Sequence, residues 1–156
     1  MAEMIELQEI EERVILVGVS TDDRDDTEKS LDELEELAAT AGAVAVGRVV
    51  QNLEQIHPGT YVGKGKLEEI KDLLWETEAT GILCDDELTP VQLGNLEDAL
   101  NTKVMDRTLI ILDIFAERAS TNEGKIQVEL AQLKYRQSRL AGLGKSLSRL
   151  GGGIGT

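Results

Sequence analysis

The chain has 156 residues, enough for one ordinary domain with a small appendage, and its core needs no disulfide or metal to fold. Its single cysteine, Cys84, excludes an internal disulfide. No apolar run approaches the roughly 18 residues of a membrane-spanning helix, and no secretory leader opens the chain. We therefore expect no membrane span and a cytoplasmic location.

Charge is distributed unevenly along the chain. The formal net charge is −14, which taken alone argues against nucleic-acid binding. Residues 1–100 hold 25 acidic and 7 basic side chains, whereas residues 101–156 hold 5 acidic and 9 basic ones. From Lys134 onward there are five bases and no acid. This asymmetry indicates a basic end that has its own partner.

The first two thirds of the chain alternate between strand and helix patterns. Short apolar runs predict buried strands at residues 13–19, 44–50, 81–84 and 103–105. Leucines at helical spacing predict three intervening helices; the first ends near Gly42, the second begins near Lys64 and the third begins at Thr89-Pro90. The alternation predicts an α/β fold, a small parallel four-stranded sheet with crossover helices. We take 2-1-3-4 as the hypothesis for strand order.

The pattern changes after Asp106. Residues 108–119 are largely apolar; a strand is possible, but their length and Asp106 as a cap favour a buried helix. Apolar residues then recur at heptad-like spacing, which predicts part of a long α-helical hairpin; they are Ile126, Leu130, Leu133 and Leu140. We expect an α/β domain over residues 1–105, a helical region over 106–142 and a disordered basic glycine-rich loop over 143–156.

Three single residues have simple structural interpretations. Cys84 lies in an apolar strand and is predicted to belong to the core. Trp75 lies on the leucine-rich second helix and is predicted to pack. His57, the only histidine, precedes Pro58 in a predicted surface turn, and no nucleophile with an attendant base is visible.

Two short segments are candidates for nucleotide binding. Gly63, Lys64, Gly65 and Lys66 open the second helix, whose positive dipole end attracts phosphates. Asp85 and Asp86 follow the third strand, at the sheet edge where open α/β folds place their sites. The alternatives are a glycine turn with solvated lysines and a polar loop whose acids favour the next helix.

Gly144-Lys145-Ser146 is similar to the end of a phosphate-binding P-loop. The first glycine of that motif is missing, because position 139 is arginine. The preceding element is a predicted helix, where a P-loop requires a strand. We therefore interpret this segment as a basic loop.

The basic end is the leading candidate for binding RNA. Its lysines and arginines can neutralise phosphates, its serines can donate to them, and its glycines permit close backbone approach. The alternative is a basic tail without a partner, and Tyr135 alone supplies little stacking. The candidate RNA-binding residues are Lys134, Arg136, Arg139, Lys145, Ser146, Ser148, Arg149, Gly151, Gly152 and Gly153.

Several short motifs, in order, carry a family resemblance over residues 13–156. They are Ser30-Leu-Asp-Glu-Leu-Glu-Glu-Leu-Ala38, Ala41-Gly-Ala-Val-Ala-Val-Gly-Arg48, Thr60-Tyr-Val-Gly-Lys-Gly-Lys66, Asp85-Asp-Glu-Leu-Thr-Pro90, Asp106-Arg-Thr-Leu-Ile-Ile-Leu-Asp-Ile-Phe-Ala116, Gln127-Val-Glu-Leu-Ala-Gln-Leu-Lys-Tyr135 and Gly151-Gly-Gly-Ile-Gly-Thr156. With these motifs the chain resembles the amino-terminal region of the HflX family of ribosome-associated GTPases.

The resemblance implies a function in translation. It implies a GTPase that binds the large ribosomal subunit through its 23S rRNA and acts in ribosome splitting, rescue or biogenesis. It places the rRNA contacts at the hairpin tip, which matches residues 142–156, although Leu150 departs from the polar residue expected there. It assigns GTP and Mg²⁺ to a carboxy-terminal G domain, the intramolecular partner of this region, which lies outside the sequence. The fragment itself is then not an enzyme and needs no cofactor.

Two other functions stay open at the level of sequence. One is a small α/β domain that binds ATP or GTP with the glycines, lysines and acids described above. The other is a scaffold that regulates the missing G domain.

Overall fold

The computed structural model describes residues 11–21 and 26–150, with side chains described as far as residue 137. Within these residues the chain forms one four-stranded sheet, and each strand pairs in parallel with its neighbours. The strand order is β2-β1-β3-β4, which confirms both the predicted parallel α/β fold and the hypothesis for the order. The strands are β1 (Glu12–Ser20), β2 (Ala43–Asn52), β3 (Gly81–Cys84) and β4 (Lys103–Asp106).

Five helices are described. They are α1 (Thr27–Thr40), α2 (Lys64–Thr77), α3 (Pro90–Leu100), α4 (Arg107–Arg118) and α5 (Asn122–Leu150). Residues 107–118 thus form a helix rather than a strand, and Asp106 caps it by accepting a hydrogen bond from the Leu109 N–H at 3.0 Å. The predicted start at Thr89-Pro90 is confirmed as a capping box, in which Thr89 and Gln92 satisfy each other's backbone N–H groups.

The sheet separates two apolar layers. Ile15, Val17 and Ile82 point toward α2 and α3, whereas Val14 and Leu16 point toward α1 and α4. The central part of β1 is buried on both faces, which is why its sequence is continuously apolar instead of alternating. Cys84 belongs to the first layer and is fully buried, as predicted, and burial raises the pKa of its thiol.

The prediction that Trp75 packs in the core is wrong. Its side chain is 86% exposed, whereas Leu67 and Ile70 on the same helix are buried. An α-helix turns about 100° per residue, so Trp75 lies past the edge of the stripe that ends with Leu74. The apolar stripe on α2 is narrow. Leucines next to Trp75 in the sequence therefore do not show that the indole lies within this stripe.

Helix α5 extends further than predicted. Its backbone is helical to Leu150, so the expected boundary between residues 142 and 143 lies inside the helix, and residues 151–156 lie outside the described part. Gly142 and Gly144 each disfavour a helix by only about 1 kcal/mol relative to alanine, so they need not end it. The division into domains stays a prediction.

The heptad-like seam on α5 faces solvent. Ile126, Leu130 and Leu133 are 51–56% exposed, and the side chain of Leu140 lies outside the described residues. The half-buried face of α5 is instead formed by Val128, Gln132 and Tyr135, and the helix packs against α3 and α4. Among the described helices, none combines the length and the apolar character that crossing a bilayer requires.

Candidate functional site

A tight loop brings the two predicted nucleotide-binding segments to the same edge of the sheet. His57 and Tyr61 exchange backbone hydrogen bonds of 3.3 and 2.9 Å, and the exposed His57 ring accepts from the Gly59 and Thr60 N–H groups at Nδ1. The Gly63 N–H then donates at 2.7 Å to Oε1 of Gln51, which lies next to the last residue of β2. The loop therefore crosses the carboxyl ends of the strands and confirms the predicted turn at His57.

Asp86 is held by the loop. The hydroxyl of Tyr61 donates to its Oδ2 at 2.6 Å. Tyr61 itself is almost fully buried, and burial, with the nearby Cys84 and Asp86, raises the pKa of its phenol. Its backbone has φ of +67°, a left-handed conformation that is unusual for a tyrosine and that turns the side chain under the loop. Asp86 thus fixes the loop on the sheet.

Asp85 is held from the other side. Its side chain is 1% exposed, and Oδ1 accepts from the Arg107 guanidinium at 2.6 Å. Arg107 also donates to the Asp85 carbonyl at 3.1 Å and to the carbonyl and hydroxyl of Ser30 on α1. One arginine therefore joins β3, α1 and α4, and a buried carboxylate is compensated by charge and hydrogen bonds.

Asp106 forms a three-way junction at the same edge. Oδ1 caps α4 at the Leu109 N–H, and Oδ2 accepts from the buried Leu88 N–H at 2.9 Å and from the hydroxyl of Tyr135 on α5. A second hydrogen bond joins α5 to α4, because the Gln132 side-chain amide donates to the Asp113 carboxylate at 3.1 Å. The carboxylate thus connects the β3–α3 loop, α4 and the long helix α5.

The glycines and lysines of the candidate segment at residues 63–66 lie at the beginning of α2. Gly63 is its N-cap and no side chain caps this end; a Cβ added at Gly65 would meet no atom within 4 Å. Lys66 forms an ion pair with Glu69 at 2.9 Å, and Lys64 is exposed. The segment shares a sheet edge with Asp85 and Asp86, but those two carboxylates are already bound by Arg107 and Tyr61.

The described residues contain neither a cluster of metal ligands nor a P-loop. In the part of the chain with described side chains, no three histidine, cysteine or carboxylate groups gather as metal ligands. Gly144-Lys145-Ser146 lies within the helical backbone of α5 and does not follow a strand. This segment therefore does not have the strand–loop–helix arrangement with which a P-loop holds the phosphates of GTP.

The basic end begins on the anchored part of α5. Lys134 and Arg136 are exposed there, on either side of the half-buried Tyr135. Arg139, Lys145, Ser146, Ser148 and Arg149 have helical backbone, and their side chains lie outside the described residues. Gly151, Gly152 and Gly153 also fall outside the described part.

Comparison with protein families decides the relationship. A family described as "GTP-binding GTPase N-terminal" matches residues 28–116, and one described as "GTP-binding GTPase Middle Region" matches residues 118–156. The GTPase HflX of Lacrimispora saccharolytica is 74% identical over all 156 residues, which cover 37% of that protein. The chain belongs to the HflX family.

Other HflX proteins agree over a similar length. The GTPase HflX of Caldanaerobacter subterraneus is 54% identical over 98% of the chain and 35% of its own length, and that of Escherichia coli is 43% identical over 92% and 34%. The chain thus spans about a third of the HflX relatives. A GTP-binding protein of Sulfolobus solfataricus in complex with GDP shares the fold, with a TM-score of 0.62 and 23% identity over 85% of the chain and 40% of its own.

The HflX family and the sheet edge were predictable from the sequence, but the residues that organise that edge were not. Arg107 and Tyr61 were not singled out, and Asp106 was interpreted only as a cap. Arg107 did carry a signal, since it is a charged residue directly between a buried strand and an apolar helix. Such a position favours a buried, paired arginine.

Proposed function

We propose that this chain is the rRNA-binding amino-terminal region of a translation-associated GTPase of HflX type. The full-length protein would bind the large ribosomal subunit through its 23S rRNA, act in the cytoplasm in ribosome splitting, rescue or biogenesis, and hold GTP and Mg²⁺ in a G domain outside this sequence. The region itself would hydrolyse nothing and would also contact that G domain.

The observation that carries this proposal is the arrangement of charge about the Tyr135–Asp106 anchor. Helix α5 is fixed to an acidic α/β body at Tyr135 and continues to Leu150, which at about 1.5 Å per residue extends about 22 Å beyond the anchor. The segment after Glu129 carries bases and no acid. We call the part of α5 after Glu129 the basic arm, and the sheet with helices α1 to α4 the body. The acidic body repels RNA phosphates, so contact through the basic arm is favoured and non-specific contact through the body is disfavoured.

The proposed contacts predict a specific loss of affinity. Lys145→Ala with Arg149→Ala removes two phosphate contacts, and we expect the affinity for isolated large subunits, measured by co-sedimentation near physiological salt, to fall about tenfold. The matched control is Lys29→Ala with Lys71→Ala, which removes the same charge from exposed positions on the body and should leave the affinity within about twofold. Equal losses in both variants, or no loss in the first, would reject the contacts.

Nucleotide binding is the second candidate function. It is favoured because no side chain caps the N-terminus of α2 and because there is open space at Gly65. It predicts saturable heat on titration with millimolar ATP or GTP, which Lys66→Ala abolishes. An absence of heat in the unmodified chain would end this hypothesis. A purely regulatory scaffold would instead change GTP turnover of the full-length protein on deletion without changing its ribosome affinity.

A further inference from the structure

The largest exposed apolar side chain lies far from the edge just described. Trp75 is 86% exposed in the last turn of α2. An indole carries a large apolar surface whose burial stabilises a complex, so its exposure here suits a surface that a partner covers. The neighbouring Ala79 and Thr102 precede β3 and β4, which places Trp75 at the amino edge of the sheet, opposite Asp85.

Two hollows lie against the indole. The first, of about 630 Å³, is lined by Leu74, Glu76, Glu78 and Ala79 in addition to Trp75. The second, of about 270 Å³, shares Leu74 and Ala79 and is completed by Lys71, Leu100, Asn101 and Thr102. Trp75 therefore borders both hollows, which also share the apolar side chains of Leu74 and Ala79. We call this region the Trp75 surface.

The charge around the Trp75 surface is negative. Helices α2 and α3 both end here, and neither has a basic residue in its own last turn, although the Arg13 guanidinium donates to the Thr77 carbonyl at the end of α2. Glu76 and Glu78 lie beside the indole, and Glu97 and Asp98 occupy the last turn of α3. Burial and the Asp98 carboxylate raise the pKa of Glu97, as expected where negative charge gathers.

The nearby cations are already paired. Lys71 lies 3.3 Å from Glu68, and the Arg13 guanidinium donates to the Thr77 carbonyl at 2.9 Å and lies 3.8 Å from Glu11. The carboxylates of Glu76 and Glu78 therefore define the sign of the surface. A polyanion such as RNA would be repelled here, and a cation would be attracted.

We propose that the Trp75 surface binds a basic, arginine-bearing segment of a partner protein. A guanidinium can stack flat on the indole while it donates hydrogen bonds to Glu76 and Glu78, a combination that an ammonium group does not match. The apolar stem of the arginine would lie against Leu74 and Ala79, which line both hollows. This inference does not depend on the proposed rRNA contacts, because it concerns the opposite edge of the sheet.

The single tryptophan allows a direct test with the full 156-residue chain. The probe is a synthetic twelve-residue peptide of alternating arginine and glycine, with lysine–glycine and glutamate–glycine peptides for comparison. We expect a saturable change in Trp75 fluorescence with the arginine peptide, binding at least threefold weaker with the lysine peptide and no response with the acidic one. The absence of saturation, or equal affinity for the two basic peptides, would overturn the proposal.

Variants distinguish peptide binding at the Trp75 surface from a general electrostatic attraction between basic peptides and the acidic chain. Measured by anisotropy of a labelled peptide, Trp75→Ala should lose at least fivefold in affinity, and Glu76→Gln with Glu78→Gln a similar factor. The control Glu36→Gln with Glu129→Gln removes two exposed acids from α1 and α5 and should stay within twofold. An equal loss of peptide affinity in the control variant would contradict the proposal. A change in Trp75 fluorescence with chain concentration in the absence of peptide would also contradict it, because it would show self-association.

Discussion

Replacing Asp106 with alanine is expected to lower the free energy of unfolding by about 3–5 kcal/mol. The change removes the cap of α4, which is worth about 1 kcal/mol, and leaves the buried Leu88 N–H without this acceptor, which costs about 1–3 kcal/mol. It also removes the acceptor of the Tyr135 hydroxyl. The measurement is urea unfolding followed by far-ultraviolet circular dichroism, since the exposed Trp75 is a poor reporter of core burial.

Two further variants show how much of this loss in unfolding free energy comes from the contacts of Asp106 within the body and how much from its contact with α5. Asp106→Asn keeps an oxygen acceptor and the side-chain shape, so we expect it to cost less than alanine. Tyr135→Phe removes only the bond from α5 and should cost about 1 kcal/mol, with faster amide exchange in α5 and unchanged exchange in the sheet. A loss below about 1 kcal/mol for Asp106→Ala would show that this carboxylate does not join the three elements.

The second large effect is expected at Arg107. Arg107→Ala leaves the Asp85 carboxylate buried without its cation and removes the guanidinium donors whose hydrogen bonds the Asp85 and Ser30 carbonyls accept. Breaking a buried ion pair by removing one partner costs about 3–5 kcal/mol, because the remaining charge is uncompensated. Urea midpoints of the variant and the unmodified chain provide the measurement.

A double-mutant cycle identifies the cause of that loss. With Asp85→Asn in the background, Arg107→Ala should cost at least about 2 kcal/mol less, since no charge is then stranded. Additive losses from the two substitutions would mean that Arg107 stabilises the fold through packing and through its bonds to Ser30 and to the Asp85 carbonyl, and not through the Asp85 carboxylate. The cycle is informative because both side chains share one contact at 2.6 Å.

The fold was predictable because its signals are local and repeated. Continuous apolar runs in β1 and β3, the cap at Thr89-Pro90 and the stop at Gly42, where φ is +89°, each indicate one element, and their alternation indicates the parallel sheet. The family motifs pointed to the same architecture. The length of α5 was underestimated, because glycines at 142 and 144 weaken a helix without ending it.

The organisation of the candidate edge was not predictable from the sequence. The bonds of Asp106 to Leu88 and Tyr135 join residues 18 and 29 positions apart, and Arg107 reaches Ser30 across 77 positions. No periodicity encodes such contacts, since they depend on which strand ends the sheet brings together. Asp85 and Asp86 were correctly expected at the carboxyl edge of the sheet; their engagement by Arg107 and Tyr61 required the three-dimensional arrangement.

The proposed role of the basic arm is tested most directly by the salt dependence of binding to isolated large ribosomal subunits. Each phosphate contact contributes about −0.7 to −0.9 to the slope of log affinity against log salt concentration. The unmodified chain should therefore show a slope about 1.4–1.8 steeper than Lys145→Ala with Arg149→Ala, while the Lys29→Ala with Lys71→Ala control should match the unmodified chain. Identical slopes in all three proteins, or no binding at low salt, would contradict the assignment of this arm to rRNA.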